Sequence, residues 1–428
     1  MSLRVANPLW RWLILLLALA VFSVVGYSSG AAALADQLES STSTEDLQHA
    51  ARLEPGSGDY WYKLGQSYLW DIDHSDVNKA IENFNRAASA DPRSAPFATA
   101  LAGAYESTGQ EKLARKEYEA ALEDYPSSPD VHWRYGSFLL RQLELQQAYP
   151  EIRKALTGDP RLAPLATSRI WFATRDIQGL LESVLPADMD DYQAALEWFC
   201  DEKEPDAALA VWKKMVSLGR TIPAKNSFPL IDLLLAMGRG NEARQTWIEA
   251  LTASGNAGAA KTGESLVFNG GFEFDALNGG LDWHVSPDAG FSFAYDTSEF
   301  HGGRRSLRVN FDGTRNVGFQ NVWQTVIVEP GKRYHFEGFL RTAGISTDSG
   351  VRFTIAFPGG TQPAIVLENL TGDHPWSAQA ADFTPEAGVH SVRILVSRDP
   401  SQKFDNKLAG TAWVDDVSII PAESAARK

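Results

Sequence analysis

The chain has 428 residues, of which 44% are hydrophobic and 22% charged, a composition typical of folded globular protein and a length sufficient for two or three domains. Its formal net charge of −15 argues against nucleic acid as a partner, because phosphate binding requires clustered Lys and Arg. The single cysteine, Cys200, excludes an internal disulfide framework, and its apolar surroundings predict a buried, unreactive thiol.

The N-terminal segment carries the signal for location. Arg4 and Arg11 precede an uncharged stretch from Trp12 to Ala35, and acidic residues follow from Asp36 onward. Positive charge before the stretch places the N-terminus in the cytoplasm. The stretch suffices for one membrane-spanning helix of about 20 residues, but Ala33-Leu34-Ala35 also resembles a signal-peptidase site, so both alternatives stay open. An uncleaved helix would hold the chain at a bacterial inner membrane with its bulk in the periplasm.

The next segment contains a repeat with a fixed period. Pro92, Pro126 and Pro160 stand 34 residues apart, and each closes the same helix–turn–helix pattern of small and aromatic residues. These pattern residues are Trp61, Leu64, Gly65, Tyr68, Ala80, Phe84 and Ala87, then Ala98, Leu101, Ala102, Tyr105, Ala114, Tyr118 and Ala121, then His132, Tyr135, Gly136, Leu139, Ala148, Ile152 and Ala155. The pattern resembles the tetratricopeptide repeat.

Weaker copies of the pattern extend this resemblance on both sides. Leu47, Ala50 and Pro55 match half a repeat upstream, whose first helix would cover about residues 24–37 and so favours an uncleaved N-terminal segment. Downstream the match loosens between residues 162 and 190 and returns twice as half-patterns. The half-pattern residues are Ala195, Leu196, Phe199, Ala208, Trp212 and Met215, then Leu230, Ile231, Leu234, Ala243, Trp247 and Ala250. The resemblance implies five to six repeats and a concave groove for an unidentified protein or peptide.

An acidic insertion interrupts the first complete repeat. Asp71, Asp73, Ser75 and Glu82 have the spacing of an EF-hand calcium loop, but Asp76 replaces the glycine that its sharp turn requires. We interpret the insertion as a solvated turn.

The C-terminal part has the composition of a β-sandwich. Glycine, aromatic and β-branched residues replace the alanine-rich pattern from Glu264 onward, after a Ser/Gly/Asn-rich joint. Alternating runs predict strands at Ser306–Phe311, Trp323–Val328, Tyr334–Thr342, Val351–Phe357, Val389–Ser397 and Thr411–Ile420, among eight to ten in total. The predicted segments are 1–35 (cytoplasmic tip and transmembrane anchor, or signal peptide), 36–255 (α-solenoid of tetratricopeptide-like repeats), 256–263 (linker), 264–421 (antiparallel β-sandwich) and 422–428 (tail).

An ordered set of short motifs carries a second resemblance. It comprises Asn269-Gly270-Gly271-Phe272-Glu273, Trp283, His301-Gly302-Gly303, Ser306-Leu307-Arg308-Val309, Trp323-Gln324, Pro330-Gly331-Lys332, Tyr334, Trp376, Phe383-Thr384 and Trp413-Val414-Asp415-Asp416-Val417. This set resembles the jelly-roll carbohydrate-binding modules of families 4, 9 and 22. The resemblance implies a non-catalytic domain in which aromatic rings stack on sugar, with Trp323, Trp376, Trp283 and Tyr334 as candidates. The alternative for each ring is a place in the core or rim of the sandwich.

The same resemblance implies a structural calcium ion. Glu273 and Asp415 match the positions where the family places carboxylates, with Asp416 adjacent. Calcium takes six to eight oxygen ligands, many of them backbone carbonyls. A salt bridge from Arg308 or Lys332 is the alternative explanation for these acids.

The sequence predicts no enzyme, because it lacks a nucleophile elbow, a His-Glu-x-x-His pair and a phosphate-binding glycine loop. Two functions remain. The first is a membrane-anchored adaptor that binds a protein through the solenoid and a polysaccharide through the sandwich, in bacterial exopolysaccharide or envelope assembly. The second is a structural protein-interaction scaffold whose sandwich has lost sugar binding.

Overall fold

The computed structural model describes residues 8–39, 43–70 and 75–422. A helical N-terminal half that begins with an apolar helix precedes two antiparallel sheets, which confirms the predicted fold class. Contacts divide the chain into two compact units, residues 1–191 and 192–428. This division does not coincide with the predicted joint at 256–263, because the last helices pack against the sandwich.

The first unit consists of helices paired in sequence order. They are α1 Pro8–Glu39, α2 Thr44–Leu53, α3 Gly58–Trp70, α4 Val77–Ala90, α5 Ala95–Ser107, α6 Glu111–Asp124, α7 Pro129–Arg141, α8 Leu145–Gly158 and α9 Ala163–Thr174. Pro92, Pro126 and Pro160 each lie two residues beyond the end of α4, α6 or α8. Proline cannot continue a helix, so each resets the chain for the next repeat.

Small residues lie where paired helices touch. A Cβ atom on Gly65 would lie 2.6 Å from the ring of Phe84, and one on Gly136 would lie 2.8 Å from the side chain of Ile152. Both distances are shorter than carbon atoms tolerate, so a side chain at either position would push the paired helices apart. The recurrence of small residues in the sequence thus reflects close helix packing.

The insertion between α3 and α4 ends in a helix cap. Asp76 accepts hydrogen bonds from the backbone N–H groups of Asn78 and Lys79, both at 3.1 Å, and so satisfies the first turn of α4. Asp71 and Asp73 of the EF-hand-like spacing lie outside the described residues.

Helix α1 combines an apolar segment with the first repeat. Leu9–Leu38 is long and apolar enough to cross a membrane. At its C-terminal end Ala35 is fully buried among residues that include Leu47 and Ala50 of α2. The Tyr60 hydroxyl of α3 donates a hydrogen bond to Asp36 Oδ1 at 2.7 Å. The end of α1 therefore packs as the first helix of the upstream repeat.

The repeat pattern weakens after α9, in the region where the sequence match loosens. A three-residue helix α10, Ile177–Gly179, and one π-helical turn, Leu180–Val184, stand in place of a full second helix. Four regular helices follow: α11 Met189–Asp201, α12 Pro205–Ser217, α13 Phe228–Ala236 and α14 Gly240–Ala253. All twelve residues of the two downstream half-patterns are fully buried in these helices.

Two five-stranded antiparallel sheets form the sandwich. The strands are β1 His284–Val285, β2 Phe291–Asp296, β3 Ser306–Asp312, β4 Phe319–Ile327, β5 Tyr334–Ile345, β6 Arg352–Ala356, β7 Ile365–Val366, β8 Gly372–Phe383, β9 Ser391–Arg398 and β10 Ala409–Pro421. Sheet A has the order β1-β4-β9-β6-β7, and sheet B has the order β2-β3-β10-β5-β8. Alternate side chains such as Phe336, Phe353 and Ile394 are fully buried between the sheets.

Helices α13 and α14 pack against the sandwich. The indole of Trp247 meets the ring of Phe268 edge-on, with 6.4 Å between centroids. Arg244 Nη1 donates a hydrogen bond to the carbonyl oxygen of Leu266 at 3.0 Å, and its guanidinium lies 4.7 Å from the Phe268 ring. A Cβ atom on Gly240 would lie 2.9 Å from Ile327 of β4. These close contacts explain why the last helices and the sandwich form one compact unit.

Candidate functional site

Two of the four predicted sugar-stacking rings belong to the core. Trp283 is fully buried, packs 4.9 Å from the ring of Phe272 and donates a hydrogen bond to the carbonyl oxygen of Asn269 at 3.1 Å. Tyr334 is 1% exposed, and its hydroxyl accepts a hydrogen bond from the backbone N–H of Glu329 at 2.9 Å. Neither ring presents a face to solvent, so both take the core alternative rather than the sugar-stacking role.

Trp323 lies half-buried on the outer surface of sheet A, with its ring stacked between neighbours. The ring of His284 on β1 is parallel to it within 5°, at 3.7 Å between centroids. The guanidinium of Arg393 on β9 lies 4.2 Å from the same ring. Because β1 and β9 flank β4 on opposite sides, both indole faces are covered. Burial and the charge of Arg393 lower the pKa of His284, which favours the neutral imidazole.

Trp376 lies half-buried on the outer surface of sheet B. The register between β5 and β8 shifts between the pairs Leu340–Ser377 and Thr342–His374, so Pro375 and Trp376 form a bulge opposite Arg341. The ring of His301 meets the indole at 5.9 Å and 61°, and stacks on Phe339 at 3.6 Å. We call His301, Phe339 and Trp376 the aromatic patch. Since Trp323 lies on the other sheet, the two tryptophans cannot contribute to one site.

Charged side chains surround the aromatic patch. His301 Nδ1 lies 2.6 Å from Asp416 Oδ2, and Arg341 Nη1 lies 3.3 Å from Glu299 Oε2. Nearby, Trp413 is 9% exposed and donates a hydrogen bond from Nε1 to Asp296 Oδ2 at 2.9 Å. Burial opposes ionisation of Asp296, but hydrogen bonds from Ser298 and Trp413 hold the pKa of this carboxyl well below its usual range. Fixed hydrogen-bonding groups thus lie close to a partly exposed ring.

The two predicted calcium ligands contact the same loop, residues 301–304. Asp415 is fully buried, and its Oδ2 accepts hydrogen bonds from the backbone N–H groups of His301 at 2.7 Å and Gly302 at 3.1 Å. Glu273 Oε1 accepts a hydrogen bond from the backbone N–H of Arg304 at 2.6 Å. A Cβ atom on Gly302 would collide with Asp416, which explains the glycine in this motif.

The charge of Asp415 is costly in this position. Burial raises the pKa of its carboxyl to about 6, although the backbone hydrogen bonds oppose the shift. No group of three His, Cys, Asp or Glu side chains among the described residues is placed to hold a metal ion. A calcium ion bound by Glu273 and Asp415 would therefore take most of its oxygen ligands from backbone and water. The calcium ion stays a prediction.

The first helices of successive repeats contact one another through charged and aromatic side chains. Arg141 of α7 forms two hydrogen bonds with Glu106 of α5, at 2.5 and 2.8 Å. Arg169 of α9 donates to the Ser137 hydroxyl at 2.8 Å, and its guanidinium lies 4.7 Å from the Trp133 ring. Burial and the charge of Arg141 lower the pKa of Arg169. In repeat arrays such a surface binds extended peptides.

The only cysteine carries no catalytic signal. Cys200 is 9% exposed, and burial raises the pKa of its thiol to about 12, so the thiol stays protonated. Its burial agrees with the unreactive role that its apolar neighbours predict.

Comparison with known proteins identifies a segment of the helical region. Residues 71–134 match the family model of the tetratricopeptide repeat. The TPR repeat-containing protein YpiA of Bacillus subtilis is 29% identical over 113 residues, which are 26% of this chain and 26% of that protein. The type IV pilus assembly protein PilF of Pseudomonas aeruginosa is 28% identical over 189 residues, which are 44% of this chain and 69% of that protein.

Among solved structures, a family 16 carbohydrate-binding module is similar over 36% of this chain and 99% of its own length, at 18% identity and a TM-score of 0.26.

This chain spans only about a quarter of the length of the Bacillus relative. The family match confirms the repeat prediction for the segment that it covers. The chain therefore contains tetratricopeptide repeats.

Proposed function

We propose that this chain is a membrane-anchored, non-catalytic adaptor that binds a protein partner through its helical repeats and a glycan through its sandwich. Its setting is bacterial exopolysaccharide or cell-envelope assembly, with the N-terminal part of α1 in the inner membrane and the helical repeats and the sandwich in the periplasm. The apolar segment Leu9–Leu38 supports the anchor, and the matched repeats support the protein partner. The single observation that carries the glycan role is the half-buried indole of Trp376, which lies beside His301 on the outer surface of sheet B.

The chemistry of the aromatic patch suits a saccharide. An indole face matches the C–H face of a pyranose, and the imidazole and carboxylate groups beside it offer hydrogen bonds to hydroxyls. Trp323 is the poorer platform because His284 and Arg393 occupy its two faces. The proposal therefore assigns sugar binding to sheet B rather than to sheet A.

Substitution of the two half-buried tryptophans tests this assignment. We expect the full-length chain in detergent to bind a soluble polysaccharide with a Kd of about 10⁻³ to 10⁻⁵ M. Trp376→Ala should weaken binding by about five- to 150-fold, because one stacked ring supplies about 1–3 kcal/mol. Trp323→Ala is the matched control, since it removes an equally sized ring from the opposite sheet. Affinity electrophoresis with a polysaccharide panel measures the loss, and circular dichroism verifies that both variants fold.

The second candidate is a protein-interaction scaffold whose sandwich no longer binds sugar. The docking of Trp247 and Arg244 of α14 on the sandwich favours it, because a sandwich used as a structural support needs such contacts. A folded wild-type chain that binds no polysaccharide in the panel would support this candidate. Equal loss in Trp323→Ala and Trp376→Ala would contradict the assignment to the aromatic patch.

A further inference from the structure

Helix α1 passes from an exposed apolar segment into the first repeat without a break. Apart from Ala18, residues 9–30 are exposed. Ala31 and Leu38 are partly buried, and Ala35 is fully buried. These three positions have the spacing of one helix face, so packing against the repeat begins at Ala31. Because α1 is one continuous helix through both parts, no flexible joint separates the apolar segment from the repeat.

The apolar segment ends close to the point where this packing begins. Trp10 and Tyr27 are both exposed and lie about 26 Å apart along the helix axis, near the bilayer's hydrocarbon thickness of about 30 Å. Aromatic residues at such a spacing are typical of the two membrane–water interfaces. Ala31 follows Tyr27 by about 6 Å, roughly one helical turn. The first repeat therefore starts directly at the membrane boundary of α1.

The helix directions decide which end of the repeats faces the membrane. Only residues 40–43 separate α1 from α2, and so short a connection makes neighbouring helices antiparallel. Helix α1 runs away from the membrane, α2 returns towards it and α3 runs away again. The side chain of Gln48 on α2 bonds the Tyr68 hydroxyl on α3, and Asn85 on α4 bonds the Tyr105 hydroxyl on α5 at 3.1 Å. The equivalent bonds show that α4 and α5 repeat this arrangement.

The loops at the membrane end carry two arginines without an ion partner in the described part of the chain. We call residues 54–57, between α2 and α3, and residues 91–94, between α4 and α5, the proline loops, because each contains a proline. Arg52 lies in the last turn of α2, Arg93 lies in the second proline loop, and both are exposed. Asp91 accepts a hydrogen bond from the backbone N–H of Arg93 at 3.2 Å. A guanidinium group can bind a phosphate through two parallel hydrogen bonds.

Acidic side chains at the same end restrict the kind of surface that fits. Glu54 lies in the first proline loop, and Asp59 lies in the first turn of α3. Zwitterionic lipid headgroups carry a phosphate for the arginines and an ammonium group for these carboxylates. A strongly anionic surface fits less well, because the chain has a net charge of −15.

On the basis of the membrane anchor in the proposed function, we propose that α1 holds the proline loops against the zwitterionic headgroups of the bilayer in which it is inserted. The lipid surface is then a further partner of the repeats. This contact neither requires nor replaces the aromatic patch on sheet B.

Fluorescence quenching by spin-labelled headgroups tests the proposal in the full-length chain. The chain is reconstituted in vesicles of phosphatidylcholine and phosphatidylethanolamine, with one fluorophore on Gly56→Cys in a Cys200→Ala background. A Cβ atom on Gly56 meets no atom within 4 Å, so the first proline loop has space for the label. Gln110→Cys is the matched control, at an exposed position beyond the opposite end of α5. We expect quenching to be at least about twofold stronger at Gly56→Cys, because the length of a helix such as α5 separates the two ends by about 20 Å.

An insertion tests whether α1 sets this position. A Gly/Ser linker of about twelve residues between Gly30 and Ala31 lets the repeat move about 20 Å from the membrane. Quenching at Gly56→Cys should then fall to the level of Gln110→Cys, whereas flotation with the vesicles should be unchanged. Circular dichroism verifies that each variant folds.

The outcomes separate this proposal from the membrane anchor on which it rests. A chain that does not float with the vesicles would contradict both. A chain that floats but shows equal quenching at the two labels would overturn only the headgroup contact. Unchanged quenching after the insertion would overturn the role of α1. If the insertion variant fails to fold, the two labels in the uninterrupted chain still decide whether the proline loops face the lipid.

Discussion

Asp415 concentrates negative charge in a buried position. Its carboxylate accepts hydrogen bonds from backbone N–H groups, Asp416 lies next to it, and burial and the like charge of Asp416 raise its pKa. A divalent cation shared with Glu273 would favour the ionised form instead. The carboxylates of Glu273 and Asp415, which both contact loop 301–304, are therefore the groups that would bind the proposed calcium ion. Metal removal tests whether they do.

Chelation should destabilise the sandwich if calcium binds there. A metal that binds only the folded state at a hundredfold excess over its Kd contributes about 2.7 kcal/mol to the free energy of unfolding. We expect EDTA to lower the thermal midpoint of the full-length chain and added calcium to restore it. Glu273→Gln, which keeps the shape but removes the charge, should have a low midpoint that EDTA no longer changes. An identical wild-type midpoint with and without EDTA would contradict the calcium prediction.

Single residues of the site were predictable only in part. Trp283, Trp323, Trp376 and Tyr334 all stand out in the sequence as rings in a sandwich, but composition does not say which face of a strand each occupies. Whether a ring faces solvent or the core depends on contacts with residues that are distant in sequence. Examples are the contacts of His284 with Trp323 and of His301 with Trp376.

At the scale of elements, helix packing was the most predictable feature. Buried alanines such as Ala87 and Ala121 recur with the period of the repeat because they lie where helices touch. The strands were predicted less completely. β2 and β8 form the edges of sheet B, and β8 exposes many of its residues and contains Pro375, so it lacks the alternation that marks β5 and β10. Which strands lie at the edge of a sheet depends on strand pairing, and the local sequence does not encode that pairing.

Overpacking one helix contact tests the repeat geometry. Ala121 of α6 is 2% exposed and packs beside Ala95 and Val131. Ala121→Trp should lower the free energy of unfolding by about 1–3 kcal/mol, because the ring cannot fit without moving a helix. Ala120→Trp is the matched control, since Ala120 precedes Ala121 on the same helix and is exposed. Thermal unfolding followed by circular dichroism measures both, and equal midpoints for the two variants would show that the repeat phase is wrong.

At the scale of the whole molecule, α1 matters both for membrane attachment and for the packing of the first helical repeat. A signal peptide is normally dispensable to the mature structure, whereas the end of α1 contributes a buried residue, Ala35, and a hydrogen-bond acceptor, Asp36, to the first helical repeat. Cleavage after Ala35 would remove the helix that covers Leu47 and Ala50 of α2. The helix continuity therefore favours an anchor that stays attached.

N-terminal sequencing of the mature protein, combined with membrane fractionation, tests the anchor. We expect an intact N-terminus and recovery in the membrane fraction that detergent, but not high salt, releases, because an apolar helix of spanning length binds through hydrocarbon rather than charge. Ala35→Leu should leave the location unchanged but destabilise the first repeat, since a larger side chain has no space at a fully buried helix contact. Ala33→Leu, at an exposed position of the same helix, is its control for stability. A mature chain that begins at Asp36 and appears in the soluble periplasmic fraction would contradict the anchor, and the first repeat would then have to fold without the helix on which Ala35 lies.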